Sequence, residues 1–234
     1  VKDTLSVSKY KKNTTVFGST SLKKKFKFRY KNISLAKIKI LSSSKKYVNE
    51  FLKLEKKHQS NLIEIHNRPN YLKDLVNNLS DRSYVIYFHN DPLTMKGSKT
   101  INERKFLLKN CFRIIFNSNW SKKRFLEGLE NKFVNSNKLV VFFQSASRSN
   151  IDIIKSKKNW ITFVGKLNKA KGYDVFAKSI KKILNRHPNW KAKVIGDEKR
   201  EKINLFHKNA DIMGFLNHNK VLNIFKQSSI AVAC

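Results

Sequence analysis

The stretch that decides the fold runs from residue 163 to residue 180 and reads FVGKLNKAKGYDVFAKSI. Just before and within it, residues 160–164 (WITFV) are β-branched or aromatic, which is typical of a short buried strand. Further on, apolar residues recur at helical spacing, at Phe176, Ile180, Ile183 and Leu184. The sequence therefore predicts that Lys166 and Lys171 lie in a loop between a strand and a helix.

A loop of this kind is suited to binding phosphate. Backbone N–H groups at a helix N-terminus have no acceptor within the helix, and the helix dipole favours an anion there by roughly 0.3–1 kcal/mol. The side chains of Lys166 and Lys171 can add charge-assisted hydrogen bonds. Because the chain contains 50 lysines and arginines, an ordinary solvated loop is the alternative interpretation.

The order of motifs around this loop resembles the donor-binding half of the retaining GT-B glycosyltransferases of family four. The likeness depends on the Gly-Lys pair at 165–166, the Lys-Gly pair at 171–172, the His-Pro pair at 187–188 and the strand predicted at 193–197. The resemblance implies that a nucleotide-sugar is bound by Gly165, Lys166, Lys171, Gly196 and Asp197, with the two lysines on its diphosphate. Lys166 stands where the family usually has arginine, so the charge is kept and the planar fork is lost.

Three segments of the first half are similar, in order and spacing, to the acceptor-side domain of bacterial family-four enzymes that build surface polysaccharides and lipopolysaccharide. They are residues 63–69 (IEIHNRP), 87–92 (YFHNDP) and 114–129. The resemblance implies a catalytic contact of His89 with the reacting sugars and an acceptor-side location for His66, Asn67, Asn90 and Asp91. From the residues alone, a core or capping role for either histidine and turn formation by the Asn and Asp residues stay open. For Asn117 or Ser118 a helix N-cap is the favoured role.

Strands and helices alternate along the chain, which predicts an α/β fold with parallel sheets and ligands at the carboxyl ends of the strands. The resemblance implies the GT-B form of this fold, two Rossmann-like domains with the active site in the cleft between them. We expect an acceptor-side domain at 1–147 and a donor-binding domain at 148–234, joined by a polar linker at 145–159. The predicted strands are 14–17, 37–41, 61–65, 84–88, 112–116, 139–143 and 160–164, and the predicted helices are 45–57, 69–79, 101–110 and 119–129.

Compared with a complete family member, the chain lacks the first strand of the first domain and stops before the two-glutamate donor motif. We therefore expect the second domain to be incomplete and this fragment to be inactive by itself. In the complete enzyme, the resemblance implies sugar transfer with retention, in which the leaving phosphate accepts the proton of the attacking hydroxyl.

No cofactor and no metal ion are expected. The six histidines show neither HxH nor HExxH spacing, and no Asp-x-Asp pair occurs. The sequence also lacks the Gly-x-Ser-x-Gly elbow of serine hydrolases and the Gly-x-Gly-x-x-Gly loop of dinucleotide-binding enzymes. The predicted partners are a nucleotide-sugar and a glycan or lipid-linked acceptor.

The formal net charge of +34 is the most unusual property of the composition. Nine of the 50 basic residues are arginine and the other 41 are lysines scattered along the chain, so a nucleic-acid partner is not expected. A nucleic-acid-binding protein and a non-catalytic nucleotide- or sugar-binding protein remain alternatives. Residues 23–31 form a denser basic run that includes Phe26, Phe28 and Tyr30; it is either a solvated loop or a contact with anionic lipid headgroups.

Cysteine content and hydropathy bear on location. Only two cysteines occur, which does not indicate a disulfide framework and fits a reducing compartment. No run of about 18 apolar residues is present, and the N-terminus lacks the apolar core of a signal peptide. We therefore expect a cytoplasmic protein that contacts the inner face of the cytoplasmic membrane peripherally.

Overall fold

The computed structural model describes residues 2–19, 26, 28–34, 42–144, 156–198 and 201–233. The chain divides into two compact units, Val1–Ser147 and Arg148–Cys234. Three sequence predictions concern segments that fall wholly or partly outside the described residues: the strand at 37–41, the linker at 145–159 and the basic run at 23–31.

The first unit is organised around a parallel sheet with the strand order β3-β4-β5-β6. Its N-terminal strands β1 and β2 pair in parallel as a separate two-stranded sheet. The elements of this unit are, in chain order, α1 (Lys2–Val7), β1 (Thr15–Gly18), β2 (Arg29–Asn32), α2 (Ser43–His58), β3 (Leu62–His66), α3 (Leu72–Asn78), β4 (Ser83–Phe88), α4 (Ile101–Asn110), β5 (Arg113–Phe116), α5 (Asn119–Leu126) and β6 (Leu139–Val141).

The second unit has its own parallel sheet, with the strand order β10-β7-β8-β9. Its elements are β7 (Lys158–Val164), α6 (Tyr173–Arg186), β8 (Lys191–Ile195), β9 (Ala210–Ile212), α7 (His218–Gln227) and β10 (Ser228–Val232). A single 3-10 turn, Lys169–Lys171, lies between β7 and α6.

Hydroxyl side chains fix the starts of three helices in the first unit. Ser42, Thr100 and Ser118 each accept a hydrogen bond from the backbone N–H three residues later, at the N-termini of α2, α4 and α5. At Thr100 the cap is reciprocal, because the Glu103 carboxylate accepts from the Thr100 N–H at 3.0 Å. The predicted N-cap role of Ser118 is confirmed.

Each unit has its own hydrophobic core, formed by side chains of the sheet and of the helices that cover it. In the first unit, Phe88 and Phe116 from neighbouring strands stack with ring centroids 5.6 Å apart, and Phe125 of α5 contacts both. In the second unit, Phe163 of β7 contacts Phe176 of α6 at 5.0 Å. Burying a side chain of this size contributes about 1.5–3 kcal/mol, so these rings hold the helices against the sheets.

The predicted α/β fold with parallel sheets is confirmed, with local differences. The helix predicted at 69–79 begins as a 3-10 turn at Pro69–Tyr71 and becomes α-helical only at Leu72. The helix predicted at 119–129 ends at Leu126, because Glu127 (φ −53°, ψ 122°) leaves the helical conformation.

Other differences concern edge elements. The interpretation of the run at 23–31 as a solvated loop was wrong for its last three residues, which belong to β2 and pair with β1. Strand β9 and helix α7 were not predicted. Strand β9 has three residues, all of them intermediate or exposed, so it lacks the apolar pattern of a buried strand.

The carboxyl ends of β7 and β8 meet through two glycines. The Gly165 N–H donates to the Ile195 carbonyl at 3.0 Å. The next residue, Gly196, has φ +137°, and a Cβ atom there would lie 1.7 Å from the Gly165 carbonyl oxygen. A side chain at residue 196 is therefore excluded both by its backbone conformation and by the neighbouring strand end.

We expect Gly196→Ala to destabilise the chain by about 3 kcal/mol, because backbone strain and a steric clash add together. Gly214→Ala is the matched control, since Gly214 also has positive φ (+63°), but a Cβ atom added there would have no neighbour within 4 Å. Gly214→Ala should lower the free energy of unfolding by about 1 kcal/mol, because it introduces backbone strain without a steric clash. Urea unfolding measures both, and equal losses of stability would contradict the proposed contact.

Candidate functional site

The candidate donor site is the loop between β7 and α6. Both Lys166 and Lys171 are exposed, and within the described part of the chain neither ammonium group has a hydrogen-bond or ion-pair partner. Lys166 follows the strand end directly, and Lys171 closes the 3-10 turn. The loop that leads into α6 therefore carries two cations for which the described residues provide no partner.

The loop is held by Asn168, a residue that the sequence analysis did not single out. Its side chain is buried; Oδ1 accepts from the Lys171 N–H at 3.2 Å, and Nδ2 donates to a Glu198 carboxylate oxygen at 3.1 Å. The Asn168 carbonyl also accepts from the Tyr173 N–H at 3.2 Å. Asn168 thus ties the turn that contains Lys171 both to the start of α6 and to the segment after β8.

The first turn of α6 contains backbone N–H groups that have no acceptor within the helix. Gly172 adopts the left-handed conformation (φ 63°), and its carbonyl accepts from the Phe176 N–H at 2.9 Å. The N–H groups of Asp174 and Val175 lie in the first turn, where no carbonyl four residues earlier in the helix is available. Among the acidic side chains nearby, the Glu201 carboxylate accepts from the Lys169 N–H at 3.0 Å. The arrangement offers ammonium groups and helix N–H groups to an anion.

The glycines and Asp197 predicted at the donor site have different roles. Gly165 would tolerate a Cβ atom, whose nearest neighbour would be 3.7 Å away, whereas Gly196 would not. The Gly196 N–H donates to the Gly214 carbonyl at 2.9 Å. Asp197 is exposed and follows β8 in irregular structure. The contacts of Gly165 and Gly196 are therefore made by their backbone atoms.

In the first unit, the predicted residues His66 and His89 lie together at the carboxyl ends of β3 and β4. His66 Nδ1 and His89 Nε2 are 2.8 Å apart, and the two rings are nearly parallel, with an interplanar angle of 14° and centroids 5.2 Å apart. Asn67, which has positive φ (54°), accepts from the His89 N–H through Oδ1 at 2.8 Å. Asn117 donates from Nδ2 to the His89 carbonyl at 2.9 Å. The three segments of the resemblance thus meet around His89.

The pKa values of His89 and Glu64 are both lowered, for different reasons. The pKa of His89 is lowered, first because burial disfavours the imidazolium form and then because the His66 ring lies beside it. The pKa of Glu64 is lowered chiefly by the hydrogen bond from His66, whose Nε2 is 2.8 Å from Glu64 Oε1. At neutral pH, Glu64 is therefore ionised and His89 is neutral.

The other two residues predicted on the acceptor side, Asp91 and Asn90, have different contacts. Asp91 caps the 3-10 turn Pro92–Thr94 by accepting from the Leu93 N–H, and its second oxygen accepts from the Arg124 guanidinium at 3.1 and 3.2 Å. These contacts give Asp91 a structural role. Asn90 is exposed at the bend after β4.

The part of the chain that matches a known protein family coincides almost entirely with the second unit. Residues 146–234 match the family model of the glycosyl transferases, group 1. The match includes the loop with Lys166 and Lys171 and the segment after β8. No curated protein has a sequence that matches the chain significantly.

Solved structures share the fold of most of the chain. Anabaena HepE in complex with UDP-glucose is similar with a TM-score of 0.61 at 13% identity, over 87% of this chain and 60% of that one. S. aureus TarM in a complex that contains UDP gives 0.60 at 10% identity, over 80% and 40%. A putative UDP-N-acetylglucosamine 2-epimerase from Listeria monocytogenes gives 0.50 at 9% identity, over 87% and 60%.

These likenesses confirm the predicted GT-B fold. The chain spans about 40–60% of the length of these three structures. Because they include a putative epimerase, the fold alone does not assign sugar transfer. The family match of the second unit is the observation that favours a glycosyltransferase.

Sequence reasoning missed Glu64, Gln144 and Asn168. Asn168 could have been found, because an Asn three residues before Lys171 has the spacing of a helix-type cap. The proximity of Glu64 to His66 could also have been predicted, because residues two apart in a strand lie on the same face of the sheet. Gln144, whose Nε2 contacts His89 Nδ1, is 55 residues from its partner and gave no local signal.

We expect Asn168→Ala to weaken binding of inorganic pyrophosphate, used as a probe for an anion in this loop, by roughly tenfold and to reduce stability by about 1 kcal/mol, because it releases the turn with Lys171. The matched control is Asn217→Ala. Asn217 is the N-cap of α7 and accepts from the Lys220 N–H at 3.0 Å, so its replacement should cost similar stability without affecting pyrophosphate binding. Calorimetric titration with pyrophosphate and urea unfolding give both quantities. Equal pyrophosphate affinities in the two variants would contradict a role of Asn168 in this loop.

Proposed function

We propose that this chain is part of a glycosyltransferase that moves a sugar from a nucleotide-sugar to a glycan or lipid-linked acceptor, with retention of the anomeric configuration. The single observation that supports this most is the loop between β7 and α6, where Lys166 and Lys171 have no partner among the described residues, in the segment that matches the glycosyl transferase family. The UDP and UDP-glucose named in the complexes of HepE and TarM support a nucleoside diphosphate as the ligand.

The chemistry of sugar transfer explains why such a site would be useful. As the bond between the anomeric carbon of the donor sugar and the diphosphate breaks, negative charge develops on the leaving diphosphate. Cations and N–H groups that are already in place stabilise that charge without reorganisation, and loss of one such donor can cost on the order of 10²–10³ in rate. Lys166, Lys171 and the first amides of α6 are the groups that would serve this purpose here.

Retention requires that the new bond forms on the face from which the leaving group departs. In the proposed mechanism, an oxygen of the leaving phosphate accepts the proton of the attacking hydroxyl, and the lysines keep this phosphate next to the sugar. His89 would contact the sugar as a neutral hydrogen-bonding group, in agreement with the lowered pKa of its imidazole.

The place of the reaction is also a proposal. We assign the chain to the synthesis of cell-envelope polysaccharide, in the cytoplasm, with peripheral contact to an anionic membrane. Of the basic run at 23–31, the structure describes Phe26 and residues 28–31, and the Phe26 and Tyr30 rings lie 4.4 Å apart. Within the described residues, no helix has the length and apolar character needed to cross a bilayer.

Lys171→Ala should weaken UDP binding by roughly tenfold or more, because it removes a charge-assisted hydrogen bond to the diphosphate. Lys166→Arg should preserve or improve binding, since it keeps the charge and adds a bidentate fork. Lys178→Ala is the control for net charge, because Lys178 is an exposed lysine of α6 on a later turn. Calorimetric titration with UDP compares the variants. If Lys178→Ala is as damaging as Lys171→Ala, binding depends on total charge and the assigned site is wrong.

Chelation provides a second test. Since the proposed site neutralises the diphosphate with lysines, UDP affinity should stay within about twofold after dialysis against EDTA. Among the described residues, no cluster of three or more His, Cys, Asp or Glu side chains is arranged to hold a metal ion. Loss of UDP binding on chelation, with recovery on addition of Mn²⁺, would show that the proposed neutralisation by lysines is wrong.

A further inference from the structure

A chain of hydrogen bonds links Glu64 to His89 through His66 at the carboxyl ends of β3 and β4. Glu64 and His66 are two residues apart on β3 and lie on the same face of the sheet. The three contacts of this chain are His66 Nε2 to Glu64 Oε1 at 2.8 Å, His89 Nε2 to His66 Nδ1 at 2.8 Å, and Gln144 Nε2 to His89 Nδ1.

The direction of this chain follows from its carboxylate end. An ionised carboxylate can only accept hydrogen bonds, so His66 must donate to Glu64 from Nε2. A neutral His66 then has a lone pair on Nδ1, which accepts from the Nε2–H of His89. His89 is left with a lone pair on Nδ1, which the amide of Gln144 meets as a donor. One consistent assignment of hydrogens therefore satisfies all three contacts.

We propose that Glu64 and His66 are positioning residues that hold His89 in the Nε2–H form, so that His89 Nδ1 is an acceptor for a hydroxyl group of a sugar. In the structure the Gln144 amide occupies the place of that hydroxyl donor. The inference rests on the proposed function only for the identity of the hydroxyl as that of a sugar. With Glu64 ionised and His66 neutral, the tautomer itself follows from the contacts.

The surroundings of His89 support a fixed ring. Its imidazole stacks on Tyr87 with centroids 4.4 Å apart, and Tyr87 in turn donates from its hydroxyl to the Phe142 carbonyl at 2.8 Å. The backbone on both sides is also held, since the His89 N–H donates to Asn67 and its carbonyl accepts from Asn117. The titratable groups that face His89 from the described neighbouring elements are His66, Glu64 and Tyr87.

Nitrogen NMR of the histidine rings tests this assignment directly. In the full chain labelled with ¹⁵N-histidine, at a pH where the rings are neutral, His89 should show a protonated Nε2 and an unprotonated Nδ1. His207 is an internal reference, because its Nδ1 accepts from the Asn209 N–H at 3.0 Å and its Nε2 lies 3.0 Å from Asn185 Oδ1. A wild-type His89 that is protonated on Nδ1 would overturn the proposal.

Glu64→Gln is the decisive variant. It keeps the shape of the side chain, but an amide can donate as well as accept, so the direction of the chain is no longer imposed. The Nδ1–H fraction of His89 should rise by about two- to tenfold, the value of one hydrogen bond, while His207 stays unchanged. Glu50→Gln is the control, since Glu50 loses the same charge but pairs with Lys53 on α2. An unchanged His89 in Glu64→Gln would contradict a positioning role of Glu64.

A second variant tests His66 separately. His66→Phe removes the acceptor for His89 Nε2–H, so exchange of this proton with water should become about two- to tenfold faster. Unaltered His207 signals and an unaltered circular dichroism spectrum would show that the variant folds. If it does not fold, the result for Glu64→Gln decides alone, because that side chain is 46% exposed and its replacement leaves the core intact. The measurement needs neither donor nor turnover, so its failure and a failure of UDP binding are distinguishable.

Discussion

The contact of Gly196 with the carbonyl of Gly165 is the constraint on which the candidate donor site depends. Parallel strands β7 and β8 end side by side, and their last residues approach so closely that no side chain fits at residue 196. The turn with Lys171 and the N-terminus of α6 follow β7 directly in the chain. They therefore begin at the carboxyl ends of the strands, where ligands of parallel α/β proteins bind.

Electrostatics distinguishes this loop from the rest of a very basic chain. With a net charge of +34, an exposed lysine alone carries little information. What separates Lys166 and Lys171 is that they lie in the loop that leads into the N-terminus of α6, and that the buried Asn168 side chain fixes the turn that contains Lys171. A diffuse positive field attracts any anion, whereas fixed donors at a helix N-terminus select one that fits.

Elements with strong local signals were well predicted from the sequence. The helix predicted at 101–110 has the same bounds in the structure, because Thr100 and Glu103 form a capping box and Leu107 and Leu108 face the core. The parallel sheets followed from the alternation of apolar strands and amphipathic helices. At the candidate site, the chain positions of Lys166, Lys171, His66 and His89 at strand and helix ends were also predictable.

Contacts between distant segments could not be read from the sequence. The approach of Gly196 to Gly165 joins residues on different strands, and the contact of Gln144 with His89 joins residues 55 positions apart. Asp91 illustrates a second limit of the sequence. It lies two residues after His89 in the same motif, but its carboxylate caps a turn and pairs with Arg124. Membership in a motif therefore did not reveal that the Asp91 side chain holds the loop.

The most direct test of the donor site is a titration of the ¹⁵N-labelled chain with UDP, followed by amide NMR at about 0.15 M salt, where unspecific attraction is screened beyond roughly 8 Å. If the loop between β7 and α6 binds UDP, saturable shifts should be concentrated in the amides of Gly165, Gly172, Val175 and Gly196. Shifts that do not saturate and that spread over lysine-rich surfaces of both units would contradict binding in this loop.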